Sequence, residues 1–159
     1  MKNQKTSIQA VFIFCIGFLA GSGNISTIQA ADQEPVLIAL TQRGCQFLEP
    51  EGKDHQFKTA SANDCEKINK ESGKERLKTV QPMKLKAGLY TFRVTNEDVP
   101  YPLGFWIRGV GFQRITLPSV SGGGLVTGNS KDYQITLKPG KYVYSCPLNP
   151  TPDYPVIVE

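Results

Sequence analysis

Histidine is nearly absent. The 159 residues hold one, His55, together with two methionines, Met1 and Met83, and one tryptophan, Trp106. A single imidazole with no evident partner gives no Ser–His–Asp or Cys–His arrangement, and it cannot supply a metal site that needs two. Long apolar runs are missing as well. The run Val11–Ala20 is short for a membrane span and is followed at once by Gly and Ser. Charge of one sign is scarce, because 18 basic residues face 14 acidic ones. Gly122-Gly123-Gly124 has no Lys-Ser/Thr behind it and so is no phosphate cradle. No internal repeat or low-complexity tail is present. Nothing in the chain argues positively for an enzyme.

What is present begins with an address. Lys2 and Lys5, the Val11–Ala20 run and Ile28-Gln29-Ala30 have the layout of a secretory signal peptide, residues 1–30. The remainder, 31–159, is read as a single domain of 129 residues, secreted or periplasmic, with no membrane span. Lys2 and Lys5 are the only charges in the first 30 residues. The mature chain therefore keeps 16 basic and 14 acidic side chains, net +2. That total is too small to argue for nucleic acid or a membrane surface as partner.

Three cysteines remain after the signal: Cys45, Cys65 and Cys146. Export permits a disulfide. Cys45–Cys65 is the expected bridge, because both lie in the one segment, Gln42–Glu75, that lacks a regular strand pattern. Within it, Ser61 caps a short helix over Ala62–Glu71, with Asp64 three residues on and a stop at Gly73. The pairs Glu49–Glu51 and Glu97–Asp98 read as solvated turn charges.

The rest alternates with period two. Strands are expected at Pro35–Thr41, Val80–Lys86, Leu89–Thr95, Gly104–Arg108, Phe112–Leu117 and Asp132–Leu137, with a final pair after the turn at Pro139-Gly140. Gly122–Gly124 is expected to be a loop. Seven or eight short strands with regularly spaced turns predict an all-β sandwich.

The last 22 residues, Lys138–Glu159, carry more. Tyr142, Tyr144 and Cys146 share one face of a strand; a loop with Pro147, Pro150, Pro152 and Pro155 follows, and then Tyr154–Val158. This order, with the Gly-Leu-Tyr-Thr-Phe-Arg-Val-Thr-Asn strand at Gly88–Asn96, resembles the cupredoxins, the blue-copper family. The resemblance implies a Greek-key β-sandwich with a short helix inserted after the first strand. It also implies that Cys146 stands where relatives place the copper thiolate.

A blue-copper site takes two imidazoles, a thiolate and a weak axial ligand. The position of the family's first His falls at Leu103 or Gly104. Those of the second His and the Met fall within Pro147–Tyr154, where neither residue occurs. One molecule therefore cannot assemble the set, and no cofactor is expected. The function implied is that of an exported interaction module. It would present Val99–Pro102 and Pro147–Pro155 to a protein partner, with Tyr101, Asn149, Asp153 and Tyr154 as candidate contacts. The alternative is a copper-binding or electron-transfer protein with Cys146 in a non-standard site, drawing on His55, Met83, carboxylates or a second copy. Oligomeric state is not legible.

Overall fold

Alternating side chains on pleated backbone produce the strands, and the burial pattern shows it directly. In Ser130–Leu137 the residues Tyr133, Ile135 and Leu137 are buried, while the residues between them face solvent. The computed structural model describes residues 34–159; the segment 1–30, expected from the sequence to be a signal peptide, lies outside the described residues.

In chain order the elements are β1 (Val36–Arg43), β2 (Gln46–Phe47), α1 (Leu48–Glu51), α2 (Ala62–Leu77), β3 (Met83–Leu85), β4 (Gly88–Asn96), β5 (Leu103–Gly109), α3 (Gln113–Thr116), β6 (Val120–Leu125), β7 (Ser130–Leu137), β8 (Gly140–Ser145) and β9 (Tyr154–Val158). One sheet runs β2-β1-β4-β7 and the other β3-β9-β8-β5-β6. Two pairings are parallel, β1 with β4 and β3 with β9. The core between the sheets is aromatic. Phe47 meets Tyr144 and Tyr154 edge-on at centroid distances of 5.2 and 5.7 Å. Phe105 lies 5.4 Å from Phe92 and 5.1 Å from Tyr133. Rings at these separations stabilise the core beyond their burial alone.

Four local expectations change. The described residues form nine strands: β2 and β6 are added to those expected, and Phe112–Leu117 drops out. The helix does not stop at Gly73; it runs 16 residues to Leu77. Gly73 is buried, and a Cβ there would stand 3.7 Å from Pro152 Cγ. That is ordinary van der Waals separation, so the helix continues through Gly73 and faces the proline loop there, although glycine costs about 1 kcal/mol in a helix interior. Ser61 does start the helix, and the Asp64 carboxylate accepts from the backbone N–H of Ala60 and of Ser61, both at 2.9 Å.

Gly122–Gly124 is strand, not loop, and belongs to β6. It pairs with β5 because glycine stands on both sides: a Cβ on Gly104 would sit 2.7 Å from Gly122 O. Phe112–Leu117 is not a strand. The chain turns back on Gly109 there, where a Cβ would meet Gln113 O at 2.4 Å. The turn forms α3 and leaves Phe112 94% and Ile115 87% exposed. Among the described residues no helix is long and apolar enough to cross a membrane.

Candidate functional site

β8 delivers Cys146 to one end of the sandwich. The residue is 1% exposed, and its sulfur accepts backbone N–H bonds from Gly104 (3.3 Å) and Asn149 (3.2 Å). Burial pushes the thiol upward from its ordinary pKa. The N–H donors of Gly104, Asn149 and Leu148 oppose that shift without overcoming it. A buried sulfur held in its protonated form is a poor nucleophile at neutral pH.

The positions around it are closed to side-chain ligands. Leu103 is fully buried in the core. Gly104 has no room for a side chain, since Gly122 O would lie 2.7 Å from its Cβ and Leu148 Cδ1 3.4 Å away. Gly104 is also held from the other sheet, its carbonyl accepting from Gln42 Nε2 at 2.8 Å. Asn149 follows Cys146 by three residues, and its amide is committed elsewhere. Its Nδ2 donates to Arg43 O (3.1 Å), and its Oδ1 accepts from Tyr101 Oη (2.9 Å) and from the N–H of Cys45 (3.4 Å). Thr151 Oγ1 accepts from the Cys146 N–H at 3.0 Å and closes the loop on itself.

The insertion between β1 and β3 packs over this corner. The Cys45–Cys65 disulfide forms as expected and ties α2 to the turn after β1. Asn69 donates to Pro150 O, and Arg76 donates to Cys45 O at 3.0 Å. Glu51 accepts from Arg76 (2.6 Å), pairs with His55 Nε2 (2.8 Å) and accepts from the Tyr154 hydroxyl. Its side chain is 2% exposed, so Glu51 is not the solvated turn charge expected of it. His55, without a partner in the sequence, has one here and also stacks on Phe57. Four buried or partly buried positions on α2 (Cys65, Asn69, Gly73 and Arg76) fall on one stripe. It is polar, which is why a search for apolar helical spacing misses it.

The candidate contacts divide. Asn149 and Tyr154 are each 0% exposed and offer no surface to a partner; their polar atoms serve the insertion instead. Tyr101 is partly buried, and burial pushes its hydroxyl up. Asp153 is exposed and pairs with Arg108 at 2.7 Å. Exposed beside them are Pro100, Pro102, Pro147 and Leu148, the last at 46%.

The non-standard copper set does not come together. Met83 pairs with Val156 and through it with Tyr142, four residues from Cys146. That is roughly 13 Å along the strand at about 3.3 Å per residue, and two strands away. His55 is held on Glu51. Among the described residues no group of three or more His, Cys, Asp or Glu is placed to hold a metal ion. The residues at this corner do not fit a blue-copper centre.

Two facing sheets, a sulfur at the end of the penultimate strand and a loop from it to the last strand define a cupredoxin-like sandwich. No family model matches the chain, and no curated protein does. Solved structures do. Auracyanin B is 11% identical with a TM-score of 0.49, over 80% of this chain and 92% of that one. Auracyanin A, a blue copper protein from the green thermophilic photosynthetic bacterium Chloroflexus aurantiacus, is 12% identical with a TM-score of 0.44, over 79% and 100%. A reduced mutant of amicyanin is 13% identical with a TM-score of 0.44, over 81% and 88%. These are likenesses of fold, and nothing of those proteins' chemistry follows for this chain.

The state of Cys146 has a direct readout. In the folded, unreduced protein at mildly alkaline pH, it is expected to resist a thiol reagent such as DTNB. Unfolding should release one thiol from the described residues, and reduction two more. Fast labelling of the native protein would contradict the burial described above.

Proposed function

We propose that this protein is an exported, non-enzymatic interaction module built on a cupredoxin-like sandwich that forms no blue-copper centre. One observation carries the reading. The sulfur is sealed by backbone N–H donors, while Leu103, Gly104 and Asn149, around it, serve the core, a strand contact and the insertion. Replacing a metal by hydrogen bonds and a disulfide leaves this corner rigid without a cofactor.

A rigid loop end suits protein recognition, since little order is lost on binding. The surface offered is narrower than the sequence implies. It consists of Leu148, Pro147, Pro100 and Pro102, rimmed by Glu97 and Asp98, while Asn149 and Tyr154 act from beneath by fixing the loop.

Copper titration of the purified protein tests the reading. It is expected to stay colourless, with no intense thiolate band near roughly 600 nm, where a site of the blue-copper type absorbs. Such a band, lost in Cys146→Ser, would overturn it. If the surface is as described, Leu148→Asp should abolish capture of the natural partner and leave the melting temperature within about 2 °C, as expected of a half-exposed position.

A further inference from the structure

The opposite end of the sandwich carries the most exposed apolar side chains described. Phe112 is 94% exposed and Ile115 87%, three residues apart on α3 and its cap, with Val110 at 44%. Isolated exposed hydrophobics are ordinary; two large ones side by side, nearly free of contacts, are not.

The segment that bears them is firmly built. Val110 N–H donates to Lys141 O at 3.0 Å, and the Lys141 N–H donates to Gln113 Oε1 at 3.0 Å. The Leu117 N–H donates to Gln113 O at 2.9 Å, and Leu117 packs on Gly140, where a Cβ would meet its Cδ1 at 2.6 Å. The backbone is therefore pinned to β8 while Phe112 and Ile115 project outward.

The charge at this end is one-sided. Lys84, Lys86, Arg114, Lys138 and Lys141 are all exposed here, against the exposed acids Glu34 and Glu159. None of the five cations forms an ion pair with another described residue. Glu97, Asp98 and Asp54 gather around Arg43 at the other end. The small net charge of residues 31–159, +2, thus conceals a concentration of positive charge at this end, where five cations face two acids. β1 also enters at this end, with Val36 and Leu37 each 52% exposed.

We propose that this end is a docking face for an anionic lipid surface, with Phe112 and Ile115 entering the interface and the cations meeting the headgroups. Charge complementarity selects that occupant. Two apolar side chains alone give weak anchoring, and a surrounding set of Lys and Arg adds the attraction to anionic headgroups that makes such anchoring stable. The proposal is independent of the loop end around Cys146 and leaves that end directed away from the bilayer.

The test is co-sedimentation of the purified protein with vesicles of mixed phosphatidylcholine and phosphatidylglycerol, and with vesicles of phosphatidylcholine alone. Binding is expected only to the mixed vesicles and should weaken as salt rises. Trp106, the single tryptophan, has Arg114 over its ring at 4.8 Å, so its emission is expected to shift on binding. Phe112→Ser with Ile115→Ser should lower partitioning by about tenfold or more while leaving the melting temperature unchanged. Arg114→Glu with Lys141→Glu should lower it by a similar factor of about ten or more, and should remove the salt dependence. Because all variants share one chain, residues before Glu34 contribute equally to each.

Absence of binding to the mixed vesicles would overturn the proposal. So would binding that both double variants retain, or a concentration-dependent dimer that Phe112→Ser with Ile115→Ser abolishes, which would make this face a contact between copies.

Discussion

Replacing Arg76 with Leu is expected to destabilise the fold by about 3–5 kcal/mol, the usual cost of removing one partner from a buried ion pair. Arg76 is 6% and Glu51 2% exposed at the side chain, and they meet at 2.6 Å. The same guanidinium also donates to Asn69 Oδ1 and to Cys45 O, so its loss leaves a buried carboxylate and two acceptors short of donors. For a domain of this size the melting temperature should fall by roughly 10–15 °C. Adding Glu51→Leu should recover a large part of the loss, since an apolar pair leaves no stranded charge. Chemical denaturation of the wild type, both single variants and the double variant measures this. A loss below about 1 kcal/mol for Arg76→Leu would place the pair in the class of exposed bridges and contradict the burial.

The same pair sets an acid limit. Burial by itself would raise the Glu51 carboxyl, but the hydrogen bonds from Arg76 and Tyr154 outweigh it and hold the group below its ordinary value of 4.5. A depressed folded pKa stabilises fully above the unfolded value, and that contribution is lost as pH falls through the folded one. Stability should therefore be level through neutral pH and decline below about 4.5. Arg76→Leu should flatten that decline.

Removing the disulfide, as Cys45→Ala with Cys65→Ala, is expected to cost about 3 kcal/mol for a closed loop of some 20 residues. Its second effect is local. The bridge holds α2 against the loop after Cys146, where Asn69 donates to Pro150 O and Gly73 faces Pro152. Without it, thiol labelling of Cys146 in the native state should accelerate by more than the global loss of stability explains. Labelling that stays as slow as in the wild type would show that the proline loop is held by β8 and β9 alone.

How far the chain was legible depends on which interaction does the ordering. Strands β4, β7 and β8 were read closely from their alternation, because burial on one face imposes period two on the sequence. The Cys45–Cys65 pairing was legible from the lack of strand pattern around both residues. Helix α2 is legible at its start, from Ser61 and Asp64, but not at its end, since a glycine inside a helix looks, in sequence, like one that ends it. Phe112–Leu117 carries β-prone residues yet forms a turn: Gly109, just upstream, lets the chain fold back on Gln113, and the tertiary bond from the Lys141 N–H to Gln113 Oε1 holds it there. The roles of Glu51, Arg76 and Gln42 left no mark, because polar side chains carry no periodic signal when they bury one another.

Composition excludes a two-histidine copper site within one molecule, because the chain holds a single imidazole. A β-sandwich is legible too, because hydrophobic alternation is written residue by residue. It is folding that seals the sulfur beneath a polar insertion, turns Tyr154 and Asn149 inward, and brings the exposed apolar and basic side chains together at the far end. Those facts depend on which distant residues come to lie together, and that is fixed by packing between elements rather than by any local pattern in the chain.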